Sequence, residues 1–210
     1  MTDIPACAAF AAYDFDRVID RRHGDSVKWN KYAGRDVLPL WVADMDFAAP
    51  PAVLAALERR LAHGCLGYPD LRPALIDAVT SHLRRAYDWR VDPAWLVWLP
   101  GLVTGINVAC RAVAGDVLTA TPVYPPFLSA PRLAGKQLAA VPLRLADQRW
   151  GWDFAALEAA LTADTRLLLL CHPHNPVGRA WQADELAELA AFCQRHELTV
   201  CSDEIHCDLI

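Results

Sequence analysis

From Pro93 onward, short apolar runs alternate with longer amphipathic ones, and this alternation constrains the fold more than any other feature. The pattern predicts strands at 95–99, 117–120, 137–143, 167–170 and 198–201. Between them it predicts helices at 102–113, 126–133, 153–161 and 183–196, with Gly135 ending the second and Asp153 capping the third. Strands that are apolar throughout need both faces covered, and helices between successive strands supply that cover. The expected class is therefore α/β, with a mainly parallel sheet flanked by helices.

The sequence before Pro50 reads differently. Residues 1–48 are irregular and polar-aromatic, with Arg17, Arg21, Arg22, Lys28 and Lys31 interleaved with Trp29, Tyr32 and Trp41, and they read as an arm that packs against something else. Pro50-Pro51 then opens a helix through Val53, Leu54, Leu57 and Leu61, with Gly64 at its stop. A second helix at 72–87 places Leu75, Ile76, Val79 and Leu83 on one face. The organisation expected is an arm with a small-domain portion at 1–48 and a large domain at 49–210. Apolar residues make up 54% and charged ones 21%, enough for a sizeable core. With a net charge of −5 and scattered Lys and Arg, no nucleic-acid partner is expected. No apolar run approaches the roughly 20 residues that span a membrane. The Ala-rich run at 6–12 has no basic residue before it and follows Asp3, unlike a secretory leader. Seven Cys without a leader read as free thiols in a reducing compartment, hence a cytoplasmic protein.

In an open parallel sheet, ligands bind outside the carboxyl ends of the strands, and that rule selects few residues. Pro100-Gly101-Leu102-Val103 opens a helix whose free amides would suit a phosphate, although most such turns bind nothing. Thr121-Pro122-Val123-Tyr124 puts an aromatic ring at the same rim, where it could equally pack a turn. His172-Pro-His-Asn-Pro-Val-Gly178 sets Asn175 in a turn stiffened by two prolines. Ser202-Asp-Glu-Ile-His206 ends the last strand with Asp203, which either caps a turn or pairs with a cation, since a lone buried carboxylate is costly. Together, a ring to stack, an amide to donate, a carboxylate for a ring nitrogen and a helix N-terminus for a phosphate describe what a pyridinium cofactor requires. A metal site is the competing reading, because Cys171, His172, His174, Cys201, His206 and Cys207 gather at two neighbouring strand-ends. They show neither C-x-x-C nor H-E-x-x-H spacing, and no metal is expected.

The segments 172–178 and 202–208 resemble the fold-type I enzymes of the class I/II aminotransferase superfamily, which use pyridoxal 5'-phosphate (PLP). Within it, Trp41-Val-Ala-Asp-Met-Asp-Phe47, Gly67-Tyr-Pro69 and Asp203-Glu-Ile-His206 resemble the MalY/PatB branch of cystathionine or cysteine S-conjugate β-lyases. Typical aminotransferases carry Tyr where this chain has His206. The resemblance implies a PLP-dependent transferase-like large domain and a carbon–sulfur β-elimination giving thiol, pyruvate and ammonia. Its substrate would be a small sulfur amino acid. It also implies that Asp203 pairs with the pyridine nitrogen, Asn175 donates to the phenolic oxygen and Tyr124 stacks on the ring. The amides of Leu102 and Val103 would hold the phosphate, and His206 belongs to the same cofactor site. Tyr68 would reach the phosphate of the partner subunit in a homodimer.

The sequence departs from the family at one point. The family's Schiff-base lysine follows the Asp203 strand, whereas the lysines here are Lys28, Lys31 and Lys136, none at that place. The expectation is a large domain incomplete at its C-terminus that does not complete a lyase cycle by itself. In the family, two later strands lie between the strands at 95–99 and 198–201, so residues 1–210 alone are expected to fold poorly. An aminotransferase of the same fold, or a non-catalytic interaction module, stays open beside the lyase reading.

Overall fold

The computed structural model describes residues 13–210, and the reading of the Ala-rich start lies outside them. Two compact units divide between Pro93 and Ala94.

In the first unit, Ser26 Oγ accepts the Trp29 N–H and starts the single-turn helix α1 (Val27–Asn30). Around it lies a charge network that anchors the segment 41–47. The Arg21 guanidinium grips Asp44 through two bonds of 2.8 Å and reaches Asp46 at 2.9 Å. The buried Lys28 ammonium meets Asp46 Oδ2 at 2.6 Å and the Asp44 carbonyl at 2.7 Å, while the Trp29 indole donates to Asp46 Oδ1 at 2.9 Å. The Lys28 and Trp29 donors hold the Asp46 carboxyl well below its usual range, at about 2. Helix α2 (Pro51–Ala62) begins with proline at its first position, where the missing N–H costs nothing. Helix α3 (Pro73–Tyr87) does the same and ends on Asp88 in the left-handed region at φ 48°. Ile76, Val79 and Leu83 of α3 are half-buried, whereas Leu54, Leu57 and Leu61 of α2 are exposed.

In the second unit α4 (Leu102–Ala112) leads into β1 (Asp116–Thr121), and α5 (Pro126–Leu133) into β2 (Leu138–Pro142). A hairpin of β3 (Arg144–Ala146) and β4 (Arg149–Gly151) comes next, followed by α6 (Phe154–Ala160) and β5 (Thr165–Cys171). Helix α7 (Ala183–Arg195) then leads into β6 (Thr199–Asp203). The main sheet is parallel throughout, in the order β2-β1-β5-β6. Successive side chains of a strand point to opposite faces, and here both sets are buried. Val117, Leu167 and Leu169 pack with Ile106, Cys110 and Phe127 from α4 and α5. Leu118, Leu168 and Leu170 pack with Leu157, Leu189 and Phe192 from α6 and α7. Thr119, buried in this core, donates its hydroxyl to the Leu169 carbonyl at 2.9 Å. Gly115 turns the chain into β1 at φ 80°, with a Cβ position only 2.3 Å from the Asp164 carbonyl.

Besides the single turn of α1, which lies in a stretch expected to be irregular, two segments differ from expectation. Residues 95–99 form no strand: a 3₁₀ turn at Pro93–Trp95 is followed by irregular chain. A strand exists only through a partner, and the ladders among the described residues leave this segment unpaired, with Trp95 67% and Val97 75% exposed. The β3–β4 hairpin was not foreseen. Its two-residue turn places Asp147 at φ 49° and Gln148 at φ 59°, a type I′ geometry usually signalled by Asn-Gly.

Candidate functional site

Strand β2 lies on one side of β1 and β5 on the other, so the order reverses between β1 and β5. In doubly wound sheets this switch point is where the crevice beyond the carboxyl ends opens. The segment after β1 carries Tyr124, the segment after β5 carries Asn175, and β6 ends on Asp203.

Tyr124 lies at the first turn of α5, its carbonyl accepting Phe127 N–H at 3.0 Å, with its ring about two-fifths exposed. Asp203 is paired in register with Cys171, and its carbonyl accepts the His172 N–H at 3.0 Å. Its half-buried carboxylate accepts the Ile205 N–H at 3.2 Å, so the turn-capping reading is realised at one oxygen. Among the ion pairs of the described residues none involves Asp203, so of the two readings open for it the turn cap is the one made within the chain. The turn after β5 closes through His174 N–H to the Arg179 carbonyl at 2.7 Å and Gly178 N–H to the His174 carbonyl at 2.9 Å. Asn175 donates its backbone N–H to Cys171 Sγ at 3.4 Å. Burial pushes the Cys171 thiol upward, so it stays protonated and apolar. Asn175 and His206 line one depression of about 330 Å³, together with Pro176 and Arg179.

Leu102 and Val103 begin α4 behind Gly101, whose φ of 133° suits glycine. The first N–H groups of a helix have no partner within it and point out of its end. Nothing lies within 4 Å of the Gly101 Cβ position, so the positive φ and not crowding is what favours glycine there. Tyr68 belongs to the first unit, where its ring is fully exposed. Of the three lysines, Lys136 donates to the Val113 carbonyl just before β2, at the end of the sheet opposite Tyr124, Asn175 and Asp203. Lys28 and Lys31 lie in the first unit, the latter with its ammonium 3.9 Å from the Trp41 ring centroid.

The polar frame behind the Asn175 turn escaped the sequence reading. Arg179 bonds the Trp150 carbonyl and Glu185, and its guanidinium lies 4.8 Å from the Trp181 ring centre. Glu185 also accepts the Gln182 N–H at 2.8 Å, completing a capping box at the start of α7. The spacing Gln182-x-x-Glu185 was a legible signal for that cap. Nothing in the sequence announced that Arg179 would join it.

A family model for aminotransferase class I and II matches residues 35–210. Cystathionine beta-lyase PatB of Bacillus subtilis is 40% identical over 205 residues, covering 94% of this chain and 53% of that protein. The crystal structure of OvoB superposes with a TM-score of 0.88 at 48% identity, over 93% of this chain and 52% of its own. The PLP-bound C-S lyase from Staphylococcus hominis does so with a TM-score of 0.86 at 32% identity, over 95% and 53% respectively. The chain thus spans about half the length of the relatives it matches.

Proposed function

Because the chain belongs to the aminotransferase class I and II family, we propose that the complete protein is a PLP-dependent carbon–sulfur β-lyase. Its substrate would be cystathionine or a cysteine S-conjugate, released as thiol, pyruvate and ammonia. The observation that supports this reading is that Tyr124, Asn175 and Asp203 follow or end the three adjacent strands β1, β5 and β6 around the switch point. The names of PatB and of the Staphylococcus hominis enzyme support a lyase rather than a transaminase. The donor set fits the cofactor: the Asp203 carboxylate has one oxygen on Ile205 N–H and takes no protein cation among the described residues.

PLP supplies a protonated pyridine ring that draws in the electron pair left when a substrate loses its α-proton. Asp203 would hold the proton on that ring nitrogen. Asn175 would donate to the phenolic oxygen, and Tyr124 would cover one face of the ring and exclude water from it. The first amides of α4, at Leu102 and Val103, would bind the phosphate as hydrogen-bond donors at a positive helix end. Tyr68 would reach the phosphate of the partner subunit, as its exposed ring allows, and His206 would border the site beside Asn175. A homodimer in the cytoplasm completes the proposal, with 49–210 as the cofactor-binding large domain. The lysine that bonds the cofactor is assigned to none of Lys28, Lys31 and Lys136.

The test is the complete protein loaded with PLP and given L-cystathionine. Thiol and pyruvate released in equal amounts are expected. Transfer of the amino group to a keto acid without free pyruvate, or no turnover of either kind, overturns the lyase assignment.

A further inference from the structure

His174 stands apart from the residues assigned to the cofactor. Its side chain is only 2% exposed, and Nε2 lies 2.9 Å from the Pro122 carbonyl, bridging 52 residues of sequence. A carbonyl only accepts, so Nε2 must carry the proton. Trp152 and Trp181 flank the ring edge-on, with centroids 6.4 and 5.5 Å away and interplanar angles of 74° and 83°. Nδ1 has no hydrogen-bond partner among the described residues, so one hydrogen bond alone sets the direction of the ring. Burial also depresses the basicity of His174, which keeps the ring neutral. Pro122 lies two residues before Tyr124, and His174 lies immediately before Asn175.

We propose that His174 is a positioning residue: its Nε2–H···O=C bond to Pro122 locks the Tyr124 segment to the Asn175 turn and so fixes the spacing of the two groups that would grip the cofactor ring. The inference rests on the PLP reading for its consequence, but the clamp itself does not depend on it. The backbone bonds around His174 hold the Asn175 turn closed on itself. No other hydrogen bond found among the described residues joins that turn to the segment 121–124. Without the clamp only the β1–β5 ladder, whose last pair is Thr119 and Leu169, relates the two segments, and a shift of about 1 Å at such a site is enough to cost a large factor in rate.

The experiment uses the complete protein and two variants. His174→Gln keeps a donor at the position of Nε2, whereas His174→Phe keeps the ring shape and removes the donor. PLP dissociation constants and the visible circular dichroism of the bound cofactor are read well below each variant's melting temperature. The expected result is binding weakened about tenfold or more in His174→Phe, equivalent to about 1.4 kcal/mol, with a diminished dichroic band. His174→Gln should recover both to within about threefold. A residue that only supports the fold would lower melting and leave the band unchanged in the folded fraction, and that result overturns the proposal. A His174→Gln variant as impaired as His174→Phe also overturns it. If His174→Phe does not fold, nitrogen-15 spectra of the histidines in the unaltered protein decide the clamp. A neutral ring protonated at Nε2 supports it, and a proton on Nδ1 contradicts it. Failure of the unaltered protein to bind PLP would overturn the cofactor reading, while the Nε2 proton would still judge the clamp.

Discussion

Single atoms set the terms at several positions. Gly115→Ala would push a Cβ to 2.3 Å from the Asp164 carbonyl at a φ of 80°. The variant should lose more than about 2 kcal/mol in denaturant melts, from strain and displaced backbone together; a loss under about 0.5 kcal/mol would mean the turn relaxes freely. Titration adds a second residue-level expectation. Burial lowers the folded-state pKa of His174 below its usual value of 6.5, so the unfolded chain binds the proton more readily. Its contribution to stability is therefore complete above about 6.5 and declines as pH falls below that. Asp46 acts lower down: held at about 2 against 3.8, it contributes above about 3.8 and loses that contribution as pH falls toward 2. Melting temperatures of wild type and Asp46→Asn should converge over that lower window; a constant gap down to pH 2 would contradict the assignment. At this scale the strand-end positions of Tyr124, Asn175 and Asp203 were legible, because each follows an apolar run that forms a strand. The clamp from His174 was not, because it joins residues 52 apart in the sequence, and one histidine among seven carries no mark of its partner.

At the scale of elements, helices α2 to α7 were read to within a residue or two because their punctuation is local, whereas the single turn of α1 lies in a stretch expected to be irregular. Proline opens α2, and the Asp153 carboxylate accepts the Ala156 N–H at 2.9 Å to cap α6, as its place in the sequence suggests. Strands β1, β2, β5 and β6 were legible from apolar runs. The segment 95–99 has the same composition without the ladder, because pairing is not a local property. The β3–β4 turn was missed because Asp147-Gln148 holds a left-handed geometry that its residues do not favour. Changing that pair to Asn-Gly should stabilise the protein by about 0.5–1 kcal/mol and raise its melting temperature. A lowered melting temperature would show that the turn is held by contacts of the Asp147 or Gln148 side chain.

Across the whole molecule, apolar surface is left open where folded proteins usually close it. Trp95 and Val97 are exposed, and among the described residues β6 borders the sheet with one ladder only. Open edges beside apolar side chains template association. Residues 1–210 expressed by themselves should associate and melt without a sharp transition, while a soluble monomer with a cooperative melt would show that these surfaces are tolerated. On the proposed reading, one carboxylate at the end of β6, that of Asp203, would set the chemistry of the complete protein. The direct measurement is loss of the α-deuteron from α-deuterated L-cystathionine by the PLP-loaded complete protein, with Asp203 and with Asp203→Asn. The substitution is expected to slow this step by at least about a thousandfold, roughly 4 kcal/mol of barrier. A rate within about tenfold of wild type would contradict it and return Asp203 to the role of a turn cap for Ile205.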